Sequence, residues 1–348
     1  MNMYMPPRWM APLLFIPGIL WEAVLRARNR LFESKALTVH ALPRPVISIG
    51  NMTLGGSGKT PLAIYVARLV SQNAGTPVLL SRGYGRRSRR SCDIVPPDMP
   101  IVLPAHELGD EPTLVRRNIP GVWLGIAANR FEAGIQIAAR VSDAVFILDD
   151  GFQHRRLRRN LDLVVVDSTQ ALEANRIFPR GSLREPIGGL RRCHAVIIND
   201  GGDAGSLDKA IERIHPSAKV FHCQQRIETI VPYPEWLVAG PTPGYGPVPV
   251  FLVAAIGNPF RFKRDVAALG FEIRGARFYR DHFTPRPEDW LACWEEARSS
   301  GAQCLLTTEK DAVKIRRDPG MPLMVAVQAT RVSEDAAFQA MIRCAATA

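Results

Sequence analysis

Short apolar runs that stop at glycine, asparagine, serine or aspartate alternate along the chain with longer stretches of helical spacing. Residues 45–49, 78–81, 121–126, 144–148, 163–166 and 195–198 are predicted strands. Several are apolar at nearly every position rather than at every second one, the pattern of strands covered on both faces. Residues 61–70, 113–117 and 130–141 are predicted helices. Strands alternating with helices predict an α/β fold on a mostly parallel, doubly wound sheet. From 232 to 249 the chain turns rich in proline and glycine, which reads as a linker. A second series follows, with strands at 251–255, 304–307 and 323–327 and helices at 260–269, 287–299 and 334–344. The expected division is an N-terminal segment 1–32, a larger domain 33–231, the linker 232–249 and a smaller α/β domain 250–348.

The amino terminus has its own pattern. Residues 11–21 are apolar and broken by Pro12 and Pro17. That run is too short for a membrane span of about 18–20 residues. From 19 to 32 the spacing suits a helix, with Leu20, Val24, Leu31 and Phe32 interleaved with Arg26, Arg28 and Arg30. Three readings stand: a signal peptide, a helix docked on the core, or a monotopic attachment. The signal peptide has a thin basic region, only Arg8, and arginines where a cleavage site belongs. An apolar wedge with adjacent cations, flanked by Trp9 and Trp21, suits an anionic headgroup layer.

The strongest local signal is Gly50-Asn-Met-Thr-Leu-Gly-Gly-Ser-Gly-Lys-Thr60, between a predicted strand and a predicted helix. That is the context of a P-loop. Gly55, Gly56, Ser57 and Gly58 would let backbone N–H groups turn toward phosphate oxygens. Lys59 would reach the phosphates and Thr60 would hold Mg²⁺. Thr53 stands where the strict pattern has its first glycine. A metal partner is expected at a neighbouring strand end. Asp149 and Asp150 repel each other unless a cation neutralises them, whereas Asp167 alone suits a cap.

Composition narrows the class. With 348 residues, 47% hydrophobic and 22% charged, the chain is globular rather than disordered. The net charge of +11 comes from arginine and points to an anionic partner: nucleic acid, acidic lipid or a phosphorylated substrate. None of the six cysteines forms a C-x-x-C pair, so reduced thiols of a cytosolic protein are expected rather than a zinc or redox motif.

Further motifs follow in order: Leu80-Ser-Arg-Gly-Tyr-Gly85, Gly109-Asp-Glu-Pro112, Leu148-Asp-Asp-Gly-Phe-Gln-His154, Leu183-Arg-Glu-Pro186, Ile256-Gly-Asn-Pro259, Asp281-His282 and Leu306-Thr-Thr-Glu-Lys-Asp311. Together with the glycine-rich loop they resemble the tetraacyldisaccharide 4'-kinase family, the lipid A 4'-kinases, over residues 46–311. Thr53 is similar to that family's own variant of the loop. The resemblance implies two α/β/α domains, the first of P-loop NTPase type, with a membrane-associating N-terminal helix. It implies ATP and Mg²⁺ as cofactors and an acylated glucosamine disaccharide 1-phosphate as acceptor. The expected location is the cytoplasmic face of the bacterial inner membrane, peripheral or monotopic, on an anionic surface. By position, Lys59 and Thr60 match the phosphate and metal residues. Asp149 and Asp150 match the Walker B carboxylates, and Glu185 a further metal contact. Asp110 matches the base that activates the acceptor hydroxyl, and His282 the histidine that supports it. Arg130, His154 and Arg184 match polar positions of the cleft. Read without the resemblance, Asp110 is a helix N-cap, His282 a plain surface or core histidine, and Arg82, Arg86, Arg87, Arg89 and Arg90 a solvated loop.

Two other classes are weighed against this. A P-loop GTPase would carry N-K-x-D, and Thr308-Glu-Lys-Asp311 has the wrong spacing. A nucleic-acid-binding NTPase fits the charge, but no basic strand interleaved with aromatics and no zinc finger is present, so no nucleic acid is expected.

Overall fold

The computed structural model describes residues 12–73, 75–84, 86, 88, 90–99, 105–169, 172, 175–199, 204–238 and 244–348. Expectations for Arg8, Trp9, Arg87, Arg89 and the centre of the linker, residues 239–243, lie outside these. The first half runs α1 (Phe15–Glu33), β1 (Val46–Asn51), α2 (Lys59–Asn73), β2 (Thr76–Ser81), β3 (Cys92–Val95), α3 (Ala105–Leu108), α4 (Asp110–Asn118), β4 (Trp123–Ala127), α5 (Arg130–Ala138), β5 (Ala144–Asp149), β6 (Leu161–Asp167), β7 (Ala195–Asn199), α6 (Ala204–Ile214) and β8 (Lys219–Pro232). Then come α7 (Tyr233–Leu237), β9 (Val250–Ala254), α8 (Pro259–Ala268), β10 (Ile273–Phe278), α9 (Pro287–Ser299), β11 (Cys304–Thr308), α10 (Glu309–Ala312), β12 (Leu323–Val332) and α11 (Asp335–Ala346).

Among the described residues twelve strands form one sheet, in the order β10-β9-β11-β12-β8-β7-β6-β1-β5-β2-β4-β3. Pairing is parallel except where β3 meets β4 and where β8 meets β12. The β8–β12 pair is the seam: β8 runs parallel to β7 on one side and antiparallel to β12 on the other. The sheet therefore divides into two parallel halves with one strand of the seam in each. Strands β1, β5, β6 and β7 are buried along their whole length, which is why they read as unbroken apolar runs.

Two segments lie across the expected boundaries. Residues 232–237, expected to open the linker, finish β8 and form α7, whose Tyr233 and Trp236 pack into the second-half core. At the other end, α11 crosses back. Phe338, Ile342 and Ala345 join Leu62, Val66 and Val70 of α2 in the first-half core. Phe338 meets Phe221 edge-on at 5.2 Å. Burial of a side chain that size is worth roughly 1.5–3 kcal/mol, enough to fix the helix there.

Helix α1 is a docked helix with an uncovered face. Gly18 and Leu25 are buried, Leu25 in the core beneath β6 and β7. Leu13, Ile16, Leu20, Trp21 and Val24 are exposed, Leu20 by 62%. Pro17 sits in the first turn, where its missing N–H costs nothing. Among the described residues no helix is long and apolar enough to cross a membrane.

Candidate active site at the carboxyl ends of the strands

Parallel α/β sheets bind ligands beyond the carboxyl ends of their strands. Here the loops after β1, β2, β5, β7, β9, β10 and β11 line one cleft of about 1080 Å³. The glycine-rich loop forms its floor. Gly58 has φ 90°, a backbone that L side chains rarely adopt, and a Cβ there would displace the Gln225 amide. Gln225 of β8 donates to the Gly58 carbonyl at 2.9 Å, and Asn199 of β7 donates to the Ser57 carbonyl at 3.1 Å. Across the cleft, Gly257 approaches the loop so closely that a Cβ there would lie 2.7 Å from the Gly56 nitrogen. Gly55, Gly56, Ser57, Gly58, Lys59 and Thr60 all face the cleft, at the positive end of the 15-residue helix α2.

Lys59 Nζ donates to Asn51 Oδ1 at 2.9 Å and to Asp150 Oδ1 at 2.8 Å. Arg184 grips the same carboxylate at 2.7 Å to each oxygen. Asp150 holds φ 48°, a left-handed backbone that costs an ordinary residue about 1–3 kcal/mol. Burial pushes its pKa up, but Lys59 and then Arg184 outweigh that and hold it well below the usual carboxylate range. Its neighbour is the reverse case. Burial raises the pKa of Asp149, and the charges of Glu111 and Asp150 add to it. Ser81 donates to Asp149 Oδ2 at 3.2 Å, while the buried Oδ1 has no hydrogen-bond partner. A buried carboxylate oxygen without a donor suits a cation. Among the described residues no three His, Cys, Asp or Glu side chains converge as a metal cage. A cation here would rest on Asp149, the Thr60 hydroxyl and oxygens brought by the ligand, the ligation Mg²⁺ favours.

Glu185 departs from the expectation of a metal contact. It is fully buried and does not line the cleft. Its Oε1 accepts from Gln153 and from Arg192, both at 2.9 Å, and Arg192 pairs with Oε2 at 2.7 Å. Oε2, although close to Arg192, has no hydrogen-bond partner. The role of Glu185 is to hold Gln153, which lines the cleft and also donates to the Asn51 carbonyl at 2.9 Å. Arg130 and His154 do line the cleft. Arg130 donates to the Ala128 carbonyl at 3.1 Å, and its buried Nε has no hydrogen-bond partner. Burial, then Arg130, Arg159, Arg156 and Arg82, push His154 down to about 4. At neutral pH His154 is therefore uncharged. Asp167, expected as a cap, accepts from both the N–H and the hydroxyl of Thr169, at 2.9 and 2.6 Å.

The second cluster joins the two halves of the chain. Asp110 occupies the first turn of α4; the N-cap is Gly109, so the capping role expected for Asp110 is not the one it has. His282 lies after β10, at φ 63°. Its Nδ1 is 3.3 Å from Asp110 Oδ2, and Lys310 Nζ is 3.4 Å from its Nε2. The neutral tautomer with the proton on Nδ1 satisfies both contacts: Nδ1–H donates to Asp110, and Nε2 accepts from Lys310. Lys310 also donates to Asp281 at 3.1 Å. Behind Asp110, the buried Lys314 sits 3.7 Å from its carboxylate and 2.8 Å from Asp311. The far end of α4 is tied down as well. Arg117 donates to the Leu237 carbonyl at 2.7 Å and lies over the Trp236 ring. Sequence reasoning did not single out Asp281, Lys310, Lys314, Asn199 or Gln225. Asp281, Lys310 and Asp311 stand inside the motifs quoted above, and that was the available signal.

This arrangement has known relatives. The family model described as LpxK, tetraacyldisaccharide-1-P 4'-kinase, matches residues 10–346. The chain belongs to the tetraacyldisaccharide 4'-kinase family. It is 32% identical over 322 residues to the tetraacyldisaccharide 4'-kinase of Desulfotalea psychrophila, covering 91% of each chain. It is 34% identical over 310 residues to that of Chlorobium limicola, covering 88% of this chain and 87% of the relative. A crystal structure of LpxK from Aquifex aeolicus, in complex with ATP, superposes with a TM-score of 0.74 at 26% identity, covering 97% of this chain and 99% of that one. The family's activity is that of a kinase in lipid A biosynthesis, and this chain is such an enzyme.

Proposed function

We propose that this kinase transfers the γ-phosphoryl group of Mg²⁺-bound ATP to the 4'-hydroxyl of an acylated glucosamine disaccharide 1-phosphate. The observation that carries the reading is the convergence of two clusters at one cleft: Lys59, Asp150 and Arg184 beside the glycine-rich loop, and opposite them His282, which lines the cleft and contacts Asp110 just behind the lining. The loop acts as a P-loop, with α2 and Lys59 offsetting phosphate charge. The ATP in the Aquifex aeolicus structure supports the donor. Bound Mg²⁺, held by Thr60 and Asp149, would neutralise phosphate charge. Asp110 accepts the proton of the acceptor hydroxyl. His282 donates to the Oδ2 of Asp110, which restrains the carboxylate and leaves Oδ1 to take the proton. Arg130 and Arg184 offer guanidinium groups to phosphate oxygens. Purified protein incubated in detergent with ATP, Mg²⁺ and the tetraacyldisaccharide 1-phosphate is expected to yield a bis-phosphorylated lipid. Hydrolysis of ATP without a 4'-phosphorylated product would overturn the reading.

The exposed face of α1 supports attachment to the anionic cytoplasmic face of the inner membrane. Leu20, Trp21 and Val24 can enter a headgroup layer without disturbing buried Leu25. Each such side chain contributes roughly 1.5–3 kcal/mol when buried, and basic groups nearby about 1 kcal/mol each, screened by salt. Combined serine substitution of the three is expected to lower vesicle partitioning by at least about tenfold. High salt should release the wild type partly and detergent completely. Full release by salt alone would leave only electrostatic docking.

A further inference from the structure

The uncovered helix α1 also sends a cation inward. Arg28 lies one turn from buried Leu25 and lines the same cleft as the glycine-rich loop and Arg184. Its Nε and Nη2 are out of contact with water, and neither has a hydrogen-bond partner. Buried guanidinium N–H groups are costly to leave unmade, so an unpaired one calls for an explanation. Glu185, the carboxylate whose charge Arg28 feels, makes no hydrogen bond to it: Oε1 accepts from Gln153 and Arg192, and Oε2 lies 2.7 Å from Arg192 without a hydrogen-bond partner. Burial lowers the pKa of Arg28 most, the Glu185 charge raises it and Arg192 lowers it, so Arg28 shares one carboxylate with a second cation. The other acid on this side, Asp150, is held by Lys59 and Arg184.

We infer that Arg28 binds the 1-phosphate of the lipid acceptor, so that the helix that meets the membrane also reads the charged end of the substrate. This rests on the acceptor proposed above. A phosphate matches the planar fork of an arginine, and no neutral sugar atom compensates a buried cation as well. The nucleotide is the other source of phosphate. Its oxygens are provided for by the loop, the start of α2 and Lys59, whereas Arg28 extends from the element whose exposed apolar face suits acyl chains. An acceptor laid along that face brings its own phosphate to Arg28.

The test compares two acceptors, the tetraacyldisaccharide 1-phosphate and the same lipid without the 1-phosphate, in neutral detergent. The wild type is expected to prefer the phosphorylated acceptor. Arg28→Ala should raise KM for it by roughly 10- to 100-fold, the range of a lost charge-assisted hydrogen bond. It should change KM for the dephosphorylated lipid by no more than about twofold and leave KM for ATP in place. Arg28→Lys should recover part of the preference, since it restores charge without the fork. An equal loss on both acceptors would reject the assignment in favour of a structural role. A rise in KM for ATP would reassign the anion to the nucleotide. Binding to phosphatidylcholine vesicles with and without phosphatidylglycerol covers the remaining source. If Arg28→Ala weakens only the anionic vesicles and keeps acceptor discrimination, the anion is a membrane headgroup and the proposal fails. Wild-type enzyme that phosphorylates neither lipid would instead defeat the proposed reaction itself.

Discussion

Asp110→Ala is expected to reduce kcat by about 10²–10⁴-fold with little change in ATP affinity. A sugar hydroxyl is a poor nucleophile, and a positioned base removes its proton as the new bond forms. Asp110 suits this task because its carboxylate is already oriented. His282 holds Oδ2 at 3.3 Å, and Lys314 lies behind at 3.7 Å. His282→Ala should lose much of the same factor by releasing that orientation. The two effects belong to one device, so they should not multiply. A double variant little slower than the worse single variant is the expected result, read from initial rates with both substrates saturating. A double loss equal to the product of the single losses would mean independent roles. Thermal unfolding of each variant checks the fold, because His282 occupies a left-handed backbone that alanine tolerates less well.

Lys59→Ala is expected to cost about 10²-fold or more in kcat, the scale of a lost electrostatic contact in a transition state. Lys59 sits at the start of α2, where it can follow charge developing on the transferred phosphoryl group. Its contact with Asp150 gives a second consequence. Removing the ammonium leaves Arg184 alone to hold the carboxylate, so Asp150 should take up protons more readily. A group whose folded pKa lies below its unfolded value stabilises the protein above the unfolded pKa. That stability is lost as pH falls through the folded value. The wild type should therefore keep this contribution to lower pH than the variant, as melting temperatures across the acid range would show. Near-normal turnover in a folded Lys59→Ala protein would reject the P-loop reading.

The sheet was legible because its central strands are buried on both faces and write unbroken apolar runs. Strand β8 was not, for a physical reason. It borders both halves, and a register shift opposite Val327 and Gln328 spoils its two-residue period. Helix α11 was readable as a helix, but nothing local says that Phe338 and Ile342 pack against α2 rather than beside β12. Site residues followed the same rule. Lys59, Asp149 and Asp150 sit where a loop, a helix start and a strand end are written in sequence. Asp110 and His282 meet across 172 positions, a contact only the family resemblance could suggest. Glu185 was expected at the cleft from the Leu-Arg-Glu-Pro motif, and a motif does not say which of its side chains line a cavity. Here Arg184 lines the cleft while Glu185 is buried.

The return of α11 sets an order on the birth of the molecule. Strand β1 and helix α2 leave the ribosome early, yet the apolar ridge of Leu62, Val66 and Val70 waits for Phe338 and Ile342. Until the last twelve-residue helix emerges, that ridge faces water or whatever guards a nascent chain. The nucleotide-binding half is thus made first and finished last. A chain released before α11 would carry Lys59, Asp110, Asp150 and His282 and lack the cover over α2.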